Sequence, residues 1–318
     1  MPAPAPMVVF GSLNVDSTSY VAAFPAPGET VLAHGFRVAL GGKGSNQAVA
    51  AHVAGASVDL VARIGTDTSG DFAITTLEGF GLSTHGIGRI ADAPTGVAQI
   101  TVADSGENTV IVTGGANLAL TPAVVDAERD RIAASALVLT QGELPVDTIE
   151  RLAAVTSELG VRFVLNLAPP TPVDPSALRG CDPLVLNEHE ARAVGIGTDA
   201  PAGASLDAWR AIAASVAGRI ARSVVVTLGA AGAVAASADG SWTAGAPRVT
   251  AVDTTGAGDG FTGTLAAFLA EGRPLDEALR IAVAAGALAV QARGTVDSYA
   301  PRAAVLAASG LSEEAVGS

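Results

Sequence analysis

The run Asp253-Thr-Thr-Gly-Ala-Gly-Asp259 stands between a segment that predicts a strand, residues 248–252, and one that predicts a helix, residues 261–271. Gly256, Ala257 and Gly258 would then lie at a helix N-terminus, where backbone N–H groups lack intrahelical partners and attract an anion. Glycine lets the backbone approach that anion closely. Asp259 adds a carboxylate at the same point. The run therefore predicts an anion hole beside a general base, a pair suited to phosphoryl transfer onto a hydroxyl.

A purely structural interpretation competes with this one, because aspartate near a helix start is often only a cap and glycine-rich turns are common. The run also contains the spacing Gly258-x-Gly260-x-x-Gly263, which matches the dinucleotide fingerprint. We reject a dinucleotide site, since Asp259 would repel a pyrophosphate and no βαβ unit with a ribose-binding acid follows.

The composition is that of a globular protein with 318 residues, of which 49% are hydrophobic. The formal net charge of −13 disfavours nucleic acid and anionic membranes as partners. The longest apolar runs are too short to span a bilayer. Four scattered histidines and one cysteine form no cluster with the spacing of a zinc site.

The same features favour the cytoplasm. Cys181 is the only cysteine, so an intramolecular disulfide is excluded. Residues 1–6, Met-Pro-Ala-Pro-Ala-Pro, lack the basic and apolar regions of a secretory signal. We expect a loose tail there, with Met7 as an alternative translation start.

The pattern along most of the chain alternates apolar strands with helices, which predicts a parallel sheet covered on both faces. Residues 95–102 and 107–113 instead alternate in polarity, and Asp104-Ser-Gly106 between them is a hairpin signal. Together with the irregular strand at 20–40 they predict a small separate sheet. The fold class is therefore α/β: a three-layer, doubly wound, mostly parallel sheet flanked by helices, with a small β-sheet lid.

These patterns also predict a division of the chain. The α/β domain comprises residues 1–13, 41–94 and 114–310; the lid comprises 14–40 and 95–113; a C-terminal tail covers 311–318. Six polar residues and one glycine fall at the ends of predicted strands, where ligands of α/β sheets bind. They are Asn14, Asp16, Gly42, Glu143, Asn187, Thr227 and Asp259.

Seven motifs spread over nearly the whole chain resemble those of the ribokinase-like carbohydrate kinase family. The first glycine-rich box and the Asp253–Asp259 run are highly specific as a pair. The other five stretches complete the pattern. The full set is Gly11-Ser-Leu-Asn-Val-Asp16, Pro27-Gly-Glu-Thr30, Gly41-Gly-Lys-Gly-Ser-Asn-Gln-Ala48, Gly114-Gly-Ala-Asn117, Asn187-Glu-His-Glu190, Thr227-Leu-Gly229 with Gly232, and Asp253–Asp259.

The resemblance implies phosphoryl transfer from MgATP to the 5-hydroxyl of D-ribose, with Asp259 as base. Deoxyribokinase, fructokinase or adenosine kinase activity, or a non-catalytic sugar sensor, remain alternatives. The residues that it implies for sugar binding are Asn14, Asp16, Gly42, Lys43, Asn46, Ile100, Glu143 and Asp259. A carboxylate such as Asp16 can accept hydrogen bonds from two vicinal hydroxyls. The competing interpretations are an Asx turn at Asn14 and Asp16, and surface positions for Lys43 and Glu143.

For the nucleotide, the resemblance implies contacts from Asn187, Thr227, Gly229, Gly232 and Gly258. It implies that Glu190 organises Mg²⁺ through water, and a sparse protein site is what Mg²⁺ usually has. An Asn cap with an acidic first turn is a strong alternative for Asn187 and Glu190.

The resemblance further implies activation by K⁺ and a homodimer formed through the lid sheet. The K⁺ ligands would mostly be carbonyl groups, so their side chains matter little. Asp253 has an alternative role as a brace that accepts backbone N–H bonds within the turn. The implied positions are Asp253, Thr255, Ala289, Ala292, Gly294 and Ser298.

Overall fold

The computed structural model describes residues 6–313, so expectations for 1–5 and 314–318 lie outside the described residues. The strands in chain order are β1 (Met7–Phe10), β2 (Asn14–Val21), β3 (Gly35–Gly41), β4 (Val58–Gly65), β5 (Ile87–Ile90), β6 (Gly96–Ala103), β7 (Asn108–Thr113), β8 (Leu137–Gln141), β9 (Arg162–Asn166), β10 (Cys181–Asn187), β11 (Val224–Thr227), β12 (Gly232–Ser237) and β13 (Gly240–Gly245).

The helices in chain order are α1 (Lys43–Val53), α2 (Thr68–Gly79), α3 (Pro122–Ala127), α4 (Arg129–Ala133), α5 (Val146–Leu159), α6 (Pro175–Arg179), α7 (Glu188–Ala193), α8 (Leu206–Val216), α9 (Ala257–Ala270), α10 (Leu275–Ala289) and α11 (Arg302–Ser309). Short 3₁₀ helices lie at Gly115–Ala119, Gly229–Ala231 and Val296–Ser298. Within residues 6–313, no helix combines the length and the hydropathy that crossing a bilayer requires.

Nine strands form the main sheet in the order β13-β12-β11-β10-β9-β8-β1-β4-β5. β1 lies between two parallel neighbours, with Met7 opposite Val58 on one side and Leu137 on the other. β12 and β13 run antiparallel at one edge. The predicted fold class is confirmed, but the pattern did not predict this antiparallel edge.

Alternation along the central strands sorts the core into two layers. Met7 and Val9 of β1 pack with α1, α9 and α10 on one face of the sheet. Val8 and Phe10 pack on the other face, with α5 among the helices there. Because both faces are covered, every residue of β1 is buried, and the strand reads as a continuous apolar run.

A separate four-stranded sheet, the lid sheet, has the order β3-β2-β6-β7. β6 and β7 form the predicted antiparallel hairpin. Asn14 at the start of β2 pairs with Gly41 of β3 and Gly96 of β6, so this corner of the lid sheet lies where the chain leaves the main sheet. All of β7 is exposed. The proposed domain boundaries stay a prediction.

Three sequence predictions of secondary structure were wrong. The irregular strand predicted at 20–40 is interrupted, because residues 22–34 between β2 and β3 form no strand. Residues 248–252 form no strand; Val252 donates its N–H to the carbonyl of Val290, and no strand runs alongside to complete a ladder. The sequence pattern predicts one helix over residues 207–221, but α8 ends at Val216, because Gly218 adopts a left-handed conformation with φ 76°.

The packing of α9 on α1 brings the two glycine-rich motifs together. A Cβ at Gly263 of α9 would lie 2.3 Å from the carbonyl oxygen of Gln47 and 2.7 Å from the Cβ of Ala50. Real Cβ atoms essentially never approach that closely, so only glycine permits this helix contact. The N-terminal half of α9 consequently lies directly against the middle of α1.

Candidate active site

An open cleft lies at the C-terminal ends of β9, β10 and β11, against the N-terminus of α9. Asp259 lies on its wall with 7% of its surface exposed. The carboxylate is therefore buried among protein groups yet has open space in front of it. The lining residues are Lys43, Asn166, Ala168, Val185, Leu186, Asn187, Glu190, Thr227, Gly256, Gly258, Asp259 and Thr262.

The two glycines of the predicted anion hole, Gly256 and Gly258, are needed for different reasons. Gly256 precedes α9 with φ 73°, and a Cβ there would lie 2.3 Å from the Cγ2 of Thr295, so both conformation and space demand glycine. A Cβ at Gly258 would meet no protein heavy atom within 4 Å. Packing does not explain a glycine in this helical position, where it costs about 1 kcal/mol relative to alanine. Gly258 instead leaves the cleft side of the helix N-terminus open.

Both oxygens of the Asp259 carboxylate accept hydrogen bonds from neighbouring residues of α1. Asn46 Nδ2 donates to Oδ2 at 3.0 Å, and Gln47 Nε2 donates to Oδ1 at 2.9 Å. Asn46, expected to face the sugar, thus contacts Asp259 directly. Two amide donors from α1 thus hold the Asp259 carboxylate in place beside the cleft.

A row of buried amide side chains supports this contact, and the sequence analysis missed it. Gln47 also donates to Asn166 Oδ1 at 2.9 Å and accepts from Gln141 Nε2 at 2.9 Å. Gln141 and Asn166 are the last residues of β8 and β9, the strand ends at which other site residues were sought. Their position at the ends of these strands is the sequence signal that could have identified them. Their uncharged amides do not by themselves indicate a site.

Lys43 places a cation in the same cleft. Its proximity to Asp259 raises the pKa of the Lys43 ammonium, and Glu143 and Glu190 add to the effect against the opposing influence of burial. The backbone N–H of Lys43 donates to Glu143 Oε2 at 3.0 Å, and the Ser12 hydroxyl donates to the same oxygen. Glu143 thus joins the loops that follow β1 and β3, and is not a surface acid.

Asp16 is a carboxyl group near the cleft whose pKa is strongly raised. Burial, followed by the charges of Glu143 and Asp259, raises its pKa to about 6. Its Oδ1 is buried without a hydrogen-bond partner in the described part of the chain. A Cβ at Gly41 would lie 1.9 Å from this oxygen, so the glycine makes room for the carboxylate. A buried acceptor without a donor is a group to which a ligand hydroxyl would be well suited.

Asn14 lies beside Asp16 at the start of β2. Its Oδ1 accepts from Asn117 Nδ2 at 2.8 Å, and Asn117 Oδ1 accepts the backbone N–H of Leu13 at 2.9 Å. Asn117, the last residue of the Gly114–Asn117 motif, therefore orients Asn14. Gly42, with φ 90°, is the residue that precedes α1. Ile100 is half-buried on β6 opposite Thr18, two pairs along the ladder from Asp16.

Asn187 and Glu190 form a complete capping box at the start of α7. Asn187 Oδ1 accepts the N–H of Glu190 at 2.9 Å, and Glu190 Oε2 accepts the N–H of Asn187 at 2.7 Å. Burial is the main cause that raises the pKa of Glu190. Both residues nevertheless line the cleft, so the capping role does not remove them from it.

The predicted nucleotide residues divide into two groups. Thr227 lines the cleft, whereas Gly229 and Gly232 do not. Gly229 opens the 3₁₀ turn after β11, and Gly232 begins β12 opposite Gly245 of β13.

The predicted cation residues come together only in part. Asp253 Oδ1 accepts the N–H of Thr255 at 2.9 Å and its Oδ2 accepts the N–H of Gly294 at 3.0 Å. Burial opposes them, but these bonds hold the pKa of Asp253 below its usual value, with a contribution from Arg37. The Ser298 hydroxyl donates to the Thr295 carbonyl. Ala289 and Ala292 bond to each other through their backbones.

Comparison with known proteins adds a family to this geometry. The model of the pfkB family carbohydrate kinases matches residues 5–302. The chain belongs to this family. Membership makes it an ATP-dependent carbohydrate kinase.

Relatives of this pfkB-family chain match it over almost its whole length. A ribokinase from Schizosaccharomyces pombe is 35% identical over 300 residues, covering 92% of this chain and 94% of the relative. A deoxyribokinase from Salmonella typhimurium is 33% identical over 295 residues, covering 92% and 95%. The structure of Arabidopsis thaliana ribokinase complexed with ribose and ATP superposes with a TM-score of 0.88 at 30% identity, covering 98% of this chain and 100% of that one.

The charge on Asp16 is expected to lower the stability of the folded protein. A carboxyl whose pKa is raised from 3.8 to about 6 on folding is destabilising above that range and neutral in effect below it. We predict that Asp16→Asn raises the free energy of unfolding by up to about 3 kcal/mol at about pH 7.5, and that the gain fades by about pH 4. Chemical denaturation at the two pH values measures it.

Asp239→Asn, which removes a charge from an exposed aspartate, is the matched control and should change little. An Asp16→Asn protein no more stable than the wild type at the higher pH would contradict the assignment of a costly charge to this position.

Proposed function

We propose that this carbohydrate kinase transfers the γ-phosphoryl group of ATP to the 5-hydroxyl of D-ribose, giving ribose 5-phosphate and ADP. The observation that carries the proposal is the Asp259 carboxylate in the first turn of α9. Two amide donors of α1 hold it, and it faces an open cleft that Lys43 also lines. The ribokinase relatives support ribose as the sugar.

In this reaction Asp259 accepts the proton of the 5-hydroxyl as the sugar oxygen attacks the γ-phosphorus. The bond between that phosphorus and the β–γ bridging oxygen breaks, and ADP leaves with the bridging oxygen. The N–H groups of residues 256–259 stabilise the negative charge on the transferring group, each well-placed donor contributing about 3–4 kcal/mol. Positioning and electrostatics account for most of the catalysis, as is general for phosphoryl transfer.

The sugar is proposed to lie between the start of the lid sheet and α1. Asp16 would accept hydrogen bonds from two vicinal hydroxyls through the oxygen that has no partner in the described residues. Lys43 would donate to the sugar and to the transferring phosphoryl group. The remaining proposed contacts are Asn14, Gly42, Asn46, Ile100 and Glu143.

The nucleotide is proposed to bind along Asn187, Thr227, Gly229 and Gly232, with its phosphates against Gly258. Mg²⁺ accompanies ATP and neutralises charge on the phosphates. Glu190 fits the ion, because its Oε2 is held by the capping box while its Oε1 accepts no hydrogen bond within residues 6–313. Glu190 would hold the ion through water.

A K⁺ ion is proposed to bind beside the anion hole, among Asp253, Thr255, Ala289, Ala292, Gly294 and Ser298. The fit rests on Asp253, whose carboxylate already ties Thr255 to Gly294 and has lone pairs to spare. A cation there would lie close to the backbone that precedes α9. Its contribution would be to fix the conformation of the anion hole.

A homodimer formed through the lid sheet is part of the proposal. The lid exposes apolar side chains on β7 and β3, including Ile111 at 66% and Phe36 at 67% exposure. Such a concentration on a small sheet favours a partner surface, and a self-complementary contact is the commonest kind. A cytoplasmic location is also proposed, since Cys181, the only cysteine, is buried and free.

Deoxyribokinase activity is the second candidate, favoured by the relative from Salmonella typhimurium, which matches as much of the chain as the ribokinases do. A panel of ribose, 2-deoxyribose, fructose and adenosine with MgATP separates the candidates by coupled detection of ADP. We expect the highest kcat/KM for ribose and a lower rate without K⁺. A preference for another acceptor would reassign the substrate, and no turnover with any of them would overturn the kinase proposal.

Asp259→Asn is expected to lower kcat by roughly 10²- to 10⁴-fold, because an amide cannot take the hydroxyl proton. The dissociation constant of ATP should change little, since the backbone N–H groups that hold the phosphates remain. Coupled ADP detection and calorimetric titration measure the two quantities. Asp276→Asn, which changes an acid in the first turn of α10, is the control. Near-normal turnover of Asp259→Asn would rule out the base.

Ile111→Glu is expected to convert the dimer into a monomer by placing a charge in the proposed lid interface. Light scattering at micromolar concentration gives the mass of each protein. Phe72→Glu, which alters an exposed apolar residue of α2, should leave the dimer intact. A wild-type protein that scatters as a monomer would contradict the dimer.

A further inference from the structure

Gln47 stands behind Asp259 as seen from the cleft and is completely buried. Its amide nitrogen donates one hydrogen to Asp259 Oδ1 at 2.9 Å and the other to Asn166 Oδ1 at 2.9 Å. Its amide oxygen accepts from Gln141 Nε2 at 2.9 Å. Both hydrogens of this amide group therefore have acceptors, and its oxygen has a donor.

The direction of these bonds is fixed at the far end by the main chain. Asn166 Nδ2 donates to the carbonyl oxygen of Val185 at 3.1 Å. A carbonyl oxygen only accepts, so the Asn166 amide must turn its own oxygen toward Gln47. Gln47 must then turn its nitrogen toward Asn166, and the same nitrogen reaches Asp259. The donor and acceptor roles in this row of amides are thus fixed by the backbone of β10, and they require Gln47 to donate to the carboxylate.

The backbone of Gln47 is as constrained as its side chain. Its carbonyl oxygen is the atom that a Cβ at Gly263 would meet at 2.3 Å, so α9 lies directly on this turn of α1. The donor and the carboxylate therefore belong to two helices in closest contact. Neither can shift relative to the other without opening that contact.

From this arrangement we propose that Gln47 is a positioning residue for phosphoryl transfer, which holds the Asp259 carboxylate in the rotamer that presents a lone pair to the cleft. The proposal rests on the proposed function, in which Asp259 is the base. Gln47 touches neither cleft nor substrate and acts through Asp259 alone. Misplacement of a reacting group by about 1 Å can cost about 100-fold in rate.

Gln47→Met removes the donor while keeping the length of the side chain. We expect kcat with ribose to fall about 10- to 100-fold, with the ribose KM within about threefold of wild type. Thr156→Val is the matched control: Thr156 is a buried helical residue whose hydroxyl, within residues 6–313, bonds only to carbonyls of its own helix α5. Thermal unfolding of both variants shows whether the protein folds.

Gln47→Glu preserves the shape and adds a carboxylate beside the base. Repulsion between like charges disfavours the ionised base, so the acidic limb of the kcat–pH profile should move up by about one pH unit or more. Four other titratable groups interact electrostatically with Asp259: Asp16, Lys43, Glu190 and Tyr299. Because this variant leaves all four residues in place, a shift of the acidic limb is attributed to the substitution at position 47. If Gln47→Met does not fold, the kcat–pH profile of Gln47→Glu tests the positioning role instead.

A double-mutant cycle separates positioning from general stability. In the Asp259→Asn background, Gln47→Met should lower the residual kcat by less than about twofold, because the group it positions is gone. An equal loss in both backgrounds, or unchanged kcat and an unmoved acidic limb in the single variants, would overturn the proposal. If instead the wild type phosphorylates no sugar in the same assay, the proposed function has failed and not this inference alone.

Discussion

The structure of the site depends on the contact between the first turns of α1 and α9, where a buried carboxylate meets two amide donors. Burying an ionised group is unfavourable unless hydrogen bonds replace its water. Asn46 and Gln47 replace that water at Asp259. Gly263 allows the approach that makes the two bonds possible. Gly263 of α9 thereby permits the two hydrogen bonds that hold the carboxylate at the N-terminus of the same helix.

Charge is concentrated around this contact at a cost to the fold. Asp16, Glu143, Glu190 and Asp259 influence one another or share the single nearby lysine, Lys43. Mutual repulsion and burial raise the pKa of Asp16 to about 6. A sugar and a magnesium-bound nucleotide would supply donors and cations to these carboxylates. Carboxylates without a full set of donors and cations are expected at a site that binds a ligand, even though they lower the stability of the folded protein.

Several residues serve the fold and the site with the same atoms. Asn187 and Glu190 cap α7, yet they line the cleft at the end of β10. Asp253 braces the turn before α9 by accepting two backbone N–H bonds. At these positions the structural role is therefore compatible with the proposed ligand contacts. A cap points its polar groups at a helix start, and in this fold the helix starts surround the cleft.

The sequence by itself determined the layered α/β fold, the lid hairpin at β6 and β7, and Asp259 beside the N-terminus of a helix. These follow from local periodicity, turn residues and motif spacing, which act between near neighbours. Only the tertiary structure decided that residues 248–252 form no strand, that β12 and β13 make an antiparallel edge, and that Gln47 contacts Asp259. Strand pairing and side-chain partners join residues far apart in the chain, here 212 positions for Gln47 and Asp259. Such partners are chosen by packing in three dimensions, which the order of residues does not reveal.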